Sequence, residues 1–170
     1  MPIAPKDLQD LAPFSGHSPA QDRPLGGYAT LMTAYVGFCA TFAVWMRRTN
    51  RRLPERVSFR DLALVTVATH KVARLTARDR VASTLRAPFT SFQGDAGPGE
   101  VDEAARGKGL QRAVGELLIC PYCLGMWVGT AFLAGLIVAP ATSRWIASSF
   151  VVVTGSDALQ IAYKKAEDLI

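Results

Sequence analysis

Residues Tyr28–Met46 read YATLMTAYVGFCATFAVWM, 19 consecutive positions without a charge. At about 1.5 Å of helical rise per residue, such a run spans roughly the ~30 Å hydrocarbon layer of a bilayer. Tyr28 and Trp45 stand near its two ends, where amphipathic rings favour the membrane–water boundary. The next residues, Arg47 to Arg52, read RRTNRR. A cleaved signal peptide carries its basic residues before the apolar run and small residues after it. Here the order is reversed, which predicts a retained span whose C-terminal end is cytoplasmic.

Composition supports this reading. The chain of 170 residues is enough for one ordinary domain, and it is 49% hydrophobic but only 9% aromatic. A mean hydropathy of +0.17 beside 19% charged residues implies that charge and apolar residues are segregated along the chain. The net charge of +5 is therefore read against the apolar runs rather than as a nucleic-acid footprint. The basic residues have no interleaved aromatic platform for stacking bases, so nucleic acid is not an expected partner. Three cysteines, Cys39, Cys120 and Cys123, are too few for a disulfide framework.

Two further spans are predicted, 124–140 (LGMWVGTAFLAGLIVAP) and 145–163 (WIASSFVVVTGSDALQIAY), joined by a tight turn at Thr142-Ser143-Arg144 and followed by Lys164 and Lys165. The turn holds only Arg144, so the hairpin is expected to begin and end in the cytoplasm. Residues 1–27, with five prolines, read as an irregular tail. The expected architecture is all-α: an integral membrane domain over 28–170, with three transmembrane helices plus a basic amphipathic or re-entrant helix. Its N-terminus is outside, its C-terminus cytoplasmic, and residues 47–56 and 78–118 lie together inside. A four-span arrangement is the alternative.

The fourth helix is expected over about 58–87. Ser58 is placed to cap it, with Asp61 as an acidic variant of the capping box. At 100° per residue, Arg60, His70, Lys71, Arg74 and Arg78 fall on one arc beside an apolar one. Its uncharged centre, Leu62–Thr69, is too short to span alone, so the helix is expected to lie in the membrane surface or dip in partway. Arg78, Arg80 and Arg86 are expected to face lipid and attract anionic headgroups. Residues 89–112, rich in Gly and charge, read as a polar loop with a weak helix at 101–105. Residues 110–119 then form a short helix leading to the cysteines.

Three features carry the chemistry. In Cys120-Pro-Tyr-Cys123, Pro121 suits the first turn of a helix, and Cys120 near the N-cap would have its thiolate favoured by the helix end. The pair fits a structural helix start, a redox pair, or half of a zinc site, which needs about four ligands. Gly125 and Gly129 form a GxxxG pattern that permits close helix contact, most simply with the first or third span. Asp157 is the one acid inside the third span. An intramembrane carboxylate needs a partner, and His70, Lys71 or Arg74 is expected to supply it. There is no Gly-rich phosphate loop, no Ser-His-Asp arrangement and no HExxH. The sequence therefore leans away from an enzyme, and no cofactor is expected beyond zinc at the cysteine pair.

The stretch HKVARLTARDRVASTLRAPF (70–89) followed by GELLICPYCLGMW (115–127) resembles the small bacterial membrane proteins of domain-of-unknown-function family thirteen-sixty. The resemblance runs over about 60–165. It implies a multi-pass protein of the bacterial cell membrane and brings no established reaction. The function this leaves is an interaction or scaffold component, partnered by the lipid bilayer, by itself as a homo-oligomer, or by a larger membrane complex. The alternatives are a membrane thiol–disulfide oxidoreductase or a metal-binding protein using Cys120 and Cys123.

Overall fold

A computed structural model describes His17 and residues 23–169. The remainder of the predicted N-terminal tail lies outside the described residues. The elements are α1 (Leu25–Arg48), α2 (Phe59–Arg78), α3 (Ser83–Arg86), β1 (Thr90–Gly97), β2 (Glu100–Ala105), α4 (Gly109–Leu118), α5 (Pro121–Val138) and α6 (Pro140–Glu167). The fold is mostly helical. Helices α1, α5 and α6 are each long and apolar enough to cross a membrane, and little of their apolar surface is buried in the fold.

Local chemistry sets the helix ends. Ser58 Oγ accepts the Asp61 N–H at the start of α2. Helix α1 continues through Arg47 and Arg48 and stops where Asn50 adopts a left-handed conformation (φ 53°). The N–H of Asn50 then returns to Arg47 O and that of Arg51 to Met46 O, which together form a Schellman closure. This turn folds Arg51 back over the Trp45 ring, 5.3 Å from its centre. Pro121 and Pro140 occupy the first turns of α5 and α6, where a missing N–H costs nothing. Consequently the turn between α5 and α6 is the single residue Ala139. The expected turn at residues 142–144 is corrected, since those residues form the first turns of α6.

Side-chain contacts orient the helices. Along α1, Tyr28 bonds Glu116 of α4, Tyr35 lies 2.8 Å from Thr130 of α5, and Arg51 donates to Ile137 O at 3.0 Å. Helix α1 therefore runs in the same direction as α4 and α5. Helix α2 packs on both α5 and α6. Its Asp61 pairs with Arg144 near the start of α6, and its Lys71 pairs with Asp157. At its other end, Ala73 and Ala77 pack with Leu124, Leu117 and Leu118. Helix α2 thus runs parallel to α6 and antiparallel to α5, over a matching length. Its buried residues, Val65, Ala68, Ala73 and Ala77, are small and let the helices approach closely.

The bundle therefore has two distinct ends. One carries the 49–58 connection and Ala139. The other carries α3, the strands, α4, Cys120 and the C-terminal turns of α6. The expectation that 47–56 and 78–118 lie together is corrected, because they sit at opposite ends. So is the single helix over 58–87: α2 ends at Arg78, where Asp79 turns extended and its side chain accepts the Val81 N–H.

The polar loop over 89–112 is also corrected, and with it the all-α expectation. Strands β1 and β2 form an antiparallel hairpin with Thr90 opposite Ala105 and Gly97 opposite Glu100. Gly97-Pro98-Gly99-Glu100 makes the turn, and Gly99 supplies the positive φ (77°) that a Pro-Gly type II turn requires. The segment at 101–105 is strand rather than weak helix, with Val101 buried and Asp102 exposed.

Helix α4 seats against this hairpin through Gly115. A Cβ there would meet the Phe89 carbonyl and lie 3.0 Å from Ala105 Cβ, whereas one at Gly125 would meet nothing within 4 Å. The two glycines should respond with opposite signs in thermal melts of the detergent-solubilised protein. Gly115→Ala is expected to destabilise by about 1–3 kcal/mol. Gly125→Ala should stabilise by roughly 0.5–1 kcal/mol, by removing backbone entropy from the unfolded chain. Equal effects would contradict this packing.

Candidate functional site

The described features with chemical potential gather along α2 and at the end where the strands cap it. Arg86 is fully buried. Its Nε donates to Glu103 Oε2 at 3.0 Å and its Nη2 to Glu103 Oε1 at 2.9 Å, a bidentate fork. The same guanidinium donates to Thr76 O at 2.7 Å, in the last turn of α2, and to Asp79 O at 3.0 Å, the residue that ends it. Ser83 Oγ donates to Glu103 Oε1 at 2.6 Å, and Thr90 Oγ1 lies 2.6 Å from Glu103 Oε2. One charge pair thus joins α2, α3, β1 and β2. Burial alone would raise the Glu103 carboxyl. The bonds from Arg86, Ser83 and Thr90, together with the Arg86 charge, outweigh it and hold the group at about 2.

The expectation that Arg86 faces lipid is therefore corrected. Arg78 pairs with Asp102, and Arg80 Nη2 lies 2.9 Å from Asp95 Oδ1, so these two meet hairpin carboxylates. Arg74 likewise lies 2.7 Å from Glu100. The pairing is a match of periods. Four residues of helix climb about 6 Å between Arg74 and Arg78, and two residues of strand advance about 6.6 Å between Glu100 and Asp102. Glu103 points to the other face of β2. Sequence reasoning missed Ser83, Thr90 and Glu103. The signal was the Gly-Pro-Gly turn flanked by the alternation Val101, Asp102, Glu103.

The three expected partners of Asp157 separate clearly. Lys71 Nζ lies 2.5 Å from Asp157 Oδ2. Arg74 is engaged by Glu100, and His70 is exposed. The Lys71 side chain is largely buried, while Asp157 is about half exposed. Of the GxxxG pair, Gly125 has open space, and Gly129 lies against Thr69 of α2, where a Cβ would sit 3.5 Å from Thr69 Cγ2. The expected contact with the first or third span is corrected to α2. Helix α5 approaches α6 closely at Gly135, where a Cβ would lie 2.6 Å from Ser143 Oγ.

Cys120 is the N-cap of α5 and is disulfide-bonded to Cys123. The Cys123 N–H donates to Cys120 Sγ at 3.2 Å. Tyr122 between them is 92% exposed. Among the described residues no group of three or more His, Cys, Asp or Glu side chains is placed to hold a metal ion. Cys39 is a free, half-buried thiol on α1.

Residues 64–163 match the family described as "Protein of unknown function (DUF1360)". The chain belongs to the DUF1360 family. It is also 30% identical over 88 residues to the sporulation protein YjcA of Bacillus subtilis (strain 168), covering 50% of this chain and 75% of that protein. No solved structure matches. The DUF1360 match begins within α2 and ends within α6, so it contains the Arg86–Glu103 clasp, Cys120, Cys123 and Asp157 and leaves α1 outside.

The clasp at the centre of this DUF1360 fold has a pH signature. The Glu103 carboxyl is depressed in the fold from an ordinary value of 4.5 to about 2. Its stabilisation is therefore complete above about 4.5 and is lost as pH falls towards about 2, a change on the order of 3 kcal/mol. Thermal melts across that window should show the decline, and Glu103→Gln should flatten it. A wild-type slope retained in Glu103→Gln would place the titrating group elsewhere.

For the α2–α6 pair, Lys71→Leu and Asp157→Leu should each destabilise by about 1.5–3 kcal/mol, and the double variant should recover part of the sum. Strict additivity in the double-mutant cycle would mean that the pair does not couple the helices.

Proposed function

We propose that this chain is a multi-pass membrane protein in which α1, α2, α5 and α6 cross the bilayer. The hairpin, α3 and α4 form a small cap on the outer face, and the protein acts as an assembly component of a membrane complex. The observation that carries this is the uncovered apolar surface of three long helices. Met32, Val36, Phe38 and Val44 on α1, Met126 and Leu133 on α5, and Val152, Val153, Leu159 and Ile161 on α6 are all exposed. Apolar surface of that extent requires a lipid or protein environment.

Helix α2 alone is too polar to span, but it lies along α5 and α6 with Lys71 turned onto Asp157. Charged groups at membrane depth are tolerated when paired in this way. Four passes put both ends of the described chain on one face. Arg47, Arg48, Arg51, Arg52, Arg56 and Arg60 crowd the short connection at the other end of the bundle, which favours a cytoplasmic position for it. The disulfide then faces the oxidising exterior.

An assembly role is supported by the cap. Val81, Leu85 and Phe92 are well exposed there, although its buried polar groups are mutually satisfied. The relative's name gives a process, sporulation, and no reaction.

Single cysteines in a Cys-free variant, labelled with an impermeant thiol reagent on intact bacteria, test the arrangement. Ser91→Cys and Lys164→Cys should label from outside, and Arg52→Cys only after permeabilisation. Labelling of Ser91→Cys and Arg52→Cys from the same side would overturn the four-pass reading. The same cells extracted in mild detergent should yield a complex larger than the monomer that is lost in Val81→Ser/Leu85→Ser/Phe92→Ser. A monomer in the unaltered extract would overturn the assembly role.

A further inference from the structure

We propose that Cys120 and Cys123 form a thiol–disulfide exchange site for the paired thiols of a partner protein. The first argument is that the bond does little for the fold. A bridge of sequence separation 3 closes so small a loop that it removes little freedom from the unfolded chain. The start of α5 is already fixed by other means. Pro121 sets the first turn, the Leu124 N–H returns to Cys120 O at 3.0 Å, and Leu124 is buried against Ala73, Ala77, Leu117 and Leu118. The sulfurs can therefore separate without moving the helix beneath them.

The second argument is access and polarity. Cys123 is exposed and Cys120 half-buried, with Tyr122 projecting between them. The two sulfurs are not equivalent, because Cys120 Sγ already accepts the Cys123 N–H at 3.2 Å. Negative charge at Cys120 is thereby stabilised by a hydrogen bond and by the N-terminal end of an 18-residue helix.

These asymmetries assign the steps. A partner thiolate attacks Cys123 Sγ and forms a new S–S bond to it. The Cys120–Cys123 bond breaks, and its electron pair remains on Cys120 as a thiolate held by the Cys123 N–H. The partner's second thiolate then attacks the partner sulfur of the mixed disulfide and expels Cys123. The two protons released by the partner's thiols are taken up by Cys120 and Cys123. The net change is a two-electron oxidation of a partner dithiol to a disulfide, matched by reduction of the Cys120–Cys123 disulfide to two thiols. Exchange in the reverse direction with a protein disulfide of higher potential restores the site.

The test uses the full chain carrying Cys39→Ala, in detergent, so it does not depend on which membrane face the pair occupies. The protein is equilibrated with mixtures of reduced and oxidised glutathione, quenched with acid, and counted for free thiols by alkylation. The expected result is reversible half-reduction within the glutathione range, with the thermal midpoint unchanged between the two forms. Persistence of the disulfide in reduced glutathione alone, or loss of the folded state on reduction, would identify a structural bridge and overturn the proposal. A synthetic peptide with two cysteines should be oxidised about tenfold faster by the protein than by the same concentration of oxidised glutathione, and an equal rate would count against the site. In the single-thiol variants, Cys120 (with Cys123→Ser) should be alkylated by iodoacetamide with a midpoint at lower pH than Cys123 (with Cys120→Ser). The opposite order would remove the assigned leaving group.

Discussion

The cap end of this protein depends on the burial of one guanidinium. Arg86 is inaccessible to solvent, and removing such a charge from water is tolerable only if nearly every donor is satisfied. Contacts to Glu103, Ser83, Thr76 O and Asp79 O meet that requirement. The requirement is geometric, since α2 must end where its carbonyls are free, α3 must present Ser83, and the hairpin must turn Glu103 inward. Four elements are thereby fixed relative to one another by a single desolvated pair, in a region with few large apolar side chains to do it otherwise.

Down the bundle the constraint changes. Helix α2 has Ala and Val where it meets α5 and α6, so contact there is close but offers little apolar area. The Lys71–Asp157 pair and the Asp61–Arg144 pair set its register against α6. Arg51, turned by the left-handed Asn50, reaches the final carbonyls of α5 and holds the far end of α1 in place. Polar contacts specify the arrangement, and the apolar surfaces of α1, α5 and α6 remain on the outside.

The cysteine pair stands at the junction of these two regions. Its backbone belongs to the packed end of the bundle through Leu124, while Cys123 and Tyr122 are exposed and Cys120 is half-buried. The proposed exchange at the sulfurs requires such an arrangement, a packed base beneath a pair of which one member is exposed.

The three apolar helices, the Ser58 cap, the proline at the start of α5 and the need of Asp157 for a cation on α2 were legible in the sequence. Each is a local property of charge, hydropathy or backbone preference. The hairpin was not, although Gly97-Pro98-Gly99 marked its turn, because its strands are mostly polar and Glu103 is among their inward residues, with Thr90 and Val101. A carboxylate reads as solvent-facing until its arginine is placed. For the same reason Arg86 could not be told from Arg78 and Arg80, which carry the same charge a few residues away. The choice of Lys71 over His70 and Arg74, and the run of α2 alongside α5 and α6, came only with the tertiary structure. Burial and pairing depend on what another segment brings to the same point in space, and neighbours in sequence do not carry that information.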